Sequence, residues 1–100
     1  VAIRDACQHL GTFQLKGCTI YCSCEPCPMC LSAIYWARID KIVFACTAKD
    51  AANAGFDDQF IYEELNRKPA DRLIKSEHVR DHNGIEAFQL WERNQNRIDY

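Results

Sequence analysis

No cluster of lysine and arginine marks this sequence, no apolar run approaches bilayer length, and no internal repeat or low-complexity tract divides it. Each absence excludes something. Twelve basic and fourteen acidic residues, well mixed along the chain, leave a formal charge of −2. No phosphate-binding stripe therefore points to a nucleic-acid partner. The apolar runs are too short to span a membrane, and no signal peptide is evident, so a soluble, cytoplasmic protein without a membrane partner is expected. With no linker, residues 1–100 read as a single domain, with enough hydrophobic residues for a modest core. Also missing is a start. Val1 is not Met, and Val1–Leu10 reads as an amphipathic helix already under way, with Ile3, Cys7 and Leu10 on one face and no cap before it. The expectation is an N-terminally incomplete domain.

What is plentiful is cysteine. Seven occur in 100 residues, and four of them crowd into Cys22, Cys24, Cys27 and Cys30. Such crowding without an export signal favours metal binding in a reducing compartment over a disulfide framework. Cys7, Cys18 and Cys46 lie in apolar surroundings and read as inert core residues. Pro28 suits the first position of a helix, which places Cys27 at its start and Cys30 on its first turn. There, free N–H groups and the helix dipole favour thiolate over thiol. Two thiolates three residues apart can close on one zinc ion. A lone C-x-x-C leaves alternatives open, among them a thioredoxin-like disulfide and a structural zinc site that recruits Cys22, Cys24, His78 or His82. An iron–sulfur cluster is a third, although its next expected ligand position is Ile34.

Around this motif the pattern is α/β. A strand over 18–23, a helix over 28–38 and an unbroken apolar strand over 41–46 make a βαβ unit, the last strand reading as buried on both faces. A helical turn follows over 50–55. Asp57 and Asp58 precede a helical pattern through Phe60, Ile61 and Leu65 that Pro69 ends. Residues 72–79 alternate weakly as a strand, Asn83-Gly84 signals a turn, and 85–97 closes as a helix with Ile85, Ala87, Phe88 and Trp91 on one side. The predicted architecture is a three-layer α/β/α sandwich. Its core lies over about 1–80, with a C-terminal helical segment over about 81–100.

Pro26-Cys27-Pro28-Met29-Cys30 after a strand matches the P-C-x-x-C half of the zinc nucleobase deaminase signature. The continuation Ala33-Ile34-Tyr35-Trp36-Ala37-Arg38, the segment Ala54-Gly55-Phe56-Asp57-Asp58-Gln59-Phe60-Ile61-Tyr62 and the terminal Tyr100 resemble bacterial guanine deaminases of the cytidine deaminase-like fold. A tRNA adenosine deaminase would share P-C-x-M-C, but would be expected to carry His-Ser-Arg or His-Ala-Arg near residue 36.

The resemblance implies a Zn2+ cofactor held by Cys27 and Cys30. It also implies an H-A-E motif, lying before these residues, whose His completes the ligand set and whose Glu moves protons. A catalytic site needs three protein ligands and a water, so this segment alone is expected to be inactive. The implied reaction is hydrolysis of guanine to xanthine and ammonia. Asp58 would be catalytic and bind substrate, alongside Trp36, Phe56 and Tyr100, while Asp57 would cap the helix. Each has an ordinary alternative: Asp58 as an N-cap, Trp36 and Phe56 as core, Tyr100 as a frayed end. His9, His78 and His82 read as surface or packing residues. The partners implied are a nucleobase and a second copy of the chain, in a homodimer whose C-terminal segment closes the neighbouring site. The sequence leaves open whether the last helix docks at home or abroad. Competing readings are deamination of another amino-heterocycle (cytosine, adenine, ammeline) and a noncatalytic zinc-stabilised interaction module.

Overall fold

The computed structural model describes all of Val1–Tyr100. Its organising unit is strand β1 (Thr19–Cys24), helix α2 (Pro28–Trp36) and strand β2 (Lys41–Cys46), preceded by helix α1 (Ala2–Leu10). The two strands pair in parallel, from Thr19 opposite Lys41 to Cys24 opposite Cys46. A parallel pair needs a crossover, and α2 provides it. Helices α3 (Ala48–Asn53), α4 (Gln59–Asn66) and α5 (Ile85–Arg93) follow, with a short 3-10 turn over Pro69–Asp71.

Local chemistry sets the boundaries. Gly11, in the left-handed conformation at φ 65°, stops α1. Pro28 opens α2, and the Leu31 N–H donates to the Cys27 carbonyl at 2.8 Å. The turn after α2 is held by Leu15, whose N–H donates to the Ala37 carbonyl at 2.7 Å, and by Gly17, whose N–H donates to Asp40 Oδ2 at 2.9 Å. Leu15, Ile34 and Ala37 are the buried apolar residues, and Pro26 and Pro28 are buried beside them.

Several expectations change. Residues 72–79 form no strand, and α5 ends at Arg93 rather than 97. The strand signal over 72–79 was alternation alone, and no neighbouring strand pairs with it. Strand β2 is not buried on both faces: Phe44 and Cys46 are exposed, and Cys46 is not a core residue. Much apolar surface stands uncovered, including Met29, Tyr35 and the α5 residues Ile85, Phe88 and Leu90. The molecule is a slab of 47 × 41 × 17 Å. No helix is long and apolar enough to cross a membrane.

Candidate metal and nucleobase site

The loop between β1 and α2 is fixed from three directions. The Glu25 N–H donates to the Cys46 carbonyl at 2.8 Å, extending the parallel ladder one residue past β1. The Glu25 carboxylate accepts from the Ala48 N–H at 2.8 Å, at the start of α3. That helix has its own capping box: Thr47 Oγ1 accepts from the Asp50 N–H, and Asp50 Oδ2 accepts from the Thr47 N–H at 2.8 Å. The third anchor is the Tyr62 hydroxyl on α4, which donates to the Pro26 carbonyl at 2.8 Å.

Within this loop Cys27 and Cys30 come together as the spacing predicts. Their influence on each other runs against the dipole argument. The Cys30 thiol is pushed up from its ordinary range, first by its hydrogen bond with Cys27, then by partial desolvation and by the charges of Cys27 and Cys22. A cation bound by both sulfurs would have to displace their protons. No third His, Cys, Asp or Glu joins them in a group able to hold a metal ion. The pair fits zinc as a donor set that supplies two of its ligands. Beside it, α1, β1 and α2 line an open apolar cavity of about 540 Å³ with Cys22, Met29 and Cys30 in its wall. His78 and His82 lie near each other and form no metal-holding group with the sulfurs; their rings are 6.2 Å apart, and His82 Nδ1 accepts from the Gly84 N–H at 2.8 Å.

The two aspartates before α4 divide their roles. Asp57 Oδ1 accepts from the Gln59 N–H at 3.1 Å, satisfying the first free N–H of the helix. Asp58 occupies the cap position itself but makes no side-chain capping bond. Its Oδ1 is buried and has no hydrogen-bond partner. An unpartnered carboxylate oxygen out of water is costly to keep. Asp58 also acts on Tyr62 one turn along: desolvation first, then the charges of Asp58, Glu25 and Cys27, push the Tyr62 hydroxyl above its ordinary range and keep it a donor at neutral pH.

The predicted aromatic residues are not core. Trp36 is 63% exposed and Tyr100 69%, and their rings pack at 5.6 Å with a 53° tilt. The Arg38 guanidinium lies 5.9 Å from the Trp36 ring centre, from a backbone in the left-handed region at φ 60°. Phe56 is 75% exposed in the turn between α3 and α4, its N–H donating to the Ala51 carbonyl at 2.9 Å. Six residues separate Trp36 from Cys30. At 100° and 1.5 Å per residue, that turns the indole about 120° away from Cys30 and about 9 Å along the helix. Trp36 and Tyr100 thus form one aromatic pair, at the end of α2 opposite the sulfurs. Glu25 and Tyr62 hold the cysteine loop in place, and motif reading gave neither a role of its own. The signals available were a carboxylate inside the cysteine loop and a tyrosine four residues after Asp58.

Residues 1–46 match the cytidine and deoxycytidylate deaminase zinc-binding region. Over 99 residues the chain is 48% identical to the guanine deaminase of Bacillus subtilis (strain 168), covering 99% of this chain and 64% of that protein. The X-ray structure of guanine deaminase from Bacillus subtilis superposes with a TM-score of 0.93 at 47% identity, over 99% of this chain and 63% of that one. The likeness to guanine deaminase runs through 99% of this chain. A tRNA-specific adenosine deaminase of Bacillus subtilis is 48% identical over only 44 residues, 44% of this chain and 27% of that protein. The guanine deaminase match extends through α4 and α5. The fold is the cytidine deaminase-like α/β sandwich, and the region that residues 1–46 match is a zinc-binding one. The chain spans just under two thirds of the guanine deaminase it resembles.

Proposed function

We propose that the complete protein hydrolyses guanine to xanthine and ammonia. Residues 1–100 would supply the two cysteine ligands, the carboxylate that receives the base and the aromatic pair. The observation that carries this reading is the buried, unpartnered Asp58 Oδ1 on an element tied to the cysteine loop through Tyr62. Guanine presents adjacent N1–H and N2–H₂ donors, which a single carboxylate can accept together. Asp58 then orients the ring and takes part in proton movement at the departing amine. Asp57 leaves it free to do so by capping α4.

Cys27 and Cys30 would hold zinc, which when bound supplies Lewis-acid activation of a water near neutral pH. The remaining protein ligand and the proton-carrying Glu are proposed to come from sequence outside these 100 residues. The 540 Å³ cavity with Cys30 in its wall supports entry of such a segment beside the sulfur pair. Phe56, at the mouth of α4, is proposed to line the base.

Trp36 and Tyr100 are proposed to serve the site of a second copy of the chain, in a homodimer with an exchanged C-terminal segment. The position of Trp36 at the end of α2, turned away from Cys30 and with Tyr100 packed against it, supports this, as do the uncovered faces of Ile85, Phe88 and Leu90 on α5. The test is steady-state ammonia release by the complete protein on guanine, adenine, cytosine and ammeline. Guanine is expected to lead; a strong preference for cytosine overturns the substrate assignment. A zinc-bound protein that releases no ammonia from any of the four is instead a metal-stabilised interaction module.

A further inference from the structure

The loop that carries Cys27 and the helix that carries Asp58 are separate elements, and a reaction that uses both needs them at a fixed separation. Glu25 ties the loop to β2 and to α3. Neither bond reaches α4. The bond that does is Tyr62 Oη to the Pro26 carbonyl, at 2.8 Å. Pro26 is buried and immediately precedes Cys27. Tyr62 lies four residues after Asp58, so the two share one face of α4. The tyrosine ring is rigid, with its hydroxyl at the tip, so it acts as a spacer of set length between helix and loop.

We propose that Tyr62 is a positioning residue. By donating to the Pro26 carbonyl it sets the separation between the sulfur pair and the Asp58 carboxylate. The proposal rests on the reading of Cys27, Cys30 and Asp58 as parts of one site. Removing the hydroxyl leaves a buried carbonyl without its donor and frees the loop to shift relative to α4. A displacement of about 1 Å between reacting groups is enough to cost about 100-fold in rate.

The experiment compares wild type with Tyr62→Phe in the complete protein, which keeps the ring and removes one oxygen. With Co2+ bound in place of zinc, the thiolate-to-metal absorption bands are expected to shift, and the ion is expected to leave to a chelator faster in the variant. On guanine, kcat is expected to fall about 10- to 100-fold with KM changing far less. Adding Tyr62→Phe to Asp58→Asn is expected to cost little further, because the spacer then has no carboxylate to place. A variant with a lowered melting temperature but unchanged cobalt bands, chelation rate and kcat makes Tyr62 an ordinary packing residue and overturns the proposal. If wild type does not turn over guanine, the deaminase reading falls. The cobalt bands and chelation rate then decide the role of Tyr62 by themselves.

Discussion

At the scale of single residues, the two adjacent aspartates show how like chemistry is put to different uses. Asp57 bonds its own helix, whereas Asp58 has an oxygen that nothing in the chain satisfies. Asp57→Ala is therefore expected to cost about 1 kcal/mol of stability, the usual value of a lost cap, while leaving turnover close to wild type. Asp58→Asn is expected to leave folding and zinc content intact while lowering kcat on guanine by about 100-fold or more, the range for loss of a proton-transfer group. Turnover close to wild type in Asp58→Asn would return Asp58 to a structural role. Both aspartates were visible in the sequence as cap candidates. The choice between them needed the hydrogen bonds, because a side chain at either position can reach a free N–H.

Among the elements, the βαβ unit was the most legible part of the chain. Apolar runs bounded by Gly17 and Pro28 report backbone conformation directly, and β1, α2 and β2 fall within one or two residues of their expected ends. The 72–79 strand failed because alternation without a pairing edge specifies nothing. The capping box of α3 was also unread. It depends on a reciprocal pair of bonds between Thr47 and Asp50 that composition does not announce. Those bonds, from the Thr47 N–H and then its hydroxyl, hold the Asp50 carboxyl below its ordinary value of 3.8. Because the folded pKa is the lower one, the box stabilises the native state above the unfolded pKa. That contribution is lost as the pH falls through the folded value. Side-chain carboxyl NMR is expected to find Asp50 titrating below 3.8. A midpoint at or above that value would mean the box is not formed.

For the whole molecule, the exposure of α5 and the pairing of Trp36 with Tyr100 carry the question of assembly. Composition announced an apolar face on 85–91 but not its partner, since a helix face reads the same whether it packs on its own core or on a neighbour. The complete protein is expected to sediment as a dimer. Co-expressing an Asp58→Asn protomer with a protomer lacking Tyr100 is expected to restore part of the activity that each lacks alone. An exchanged tail gives one of the two mixed sites both Asp58 and Tyr100. No recovery would mean that the tail serves its own chain.

The measurement that bears most directly on the account is the metal content of the complete protein, purified without chelators, alongside its Cys27→Ser and Cys30→Ser variants. Wild type is expected to hold one zinc ion per protomer and to release ammonia from guanine, with both metal and activity lost in either variant. A wild-type protein that carries no zinc, or that keeps it after either serine substitution, would contradict the assignment of Cys27 and Cys30 as the metal pair and the chemistry that depends on it.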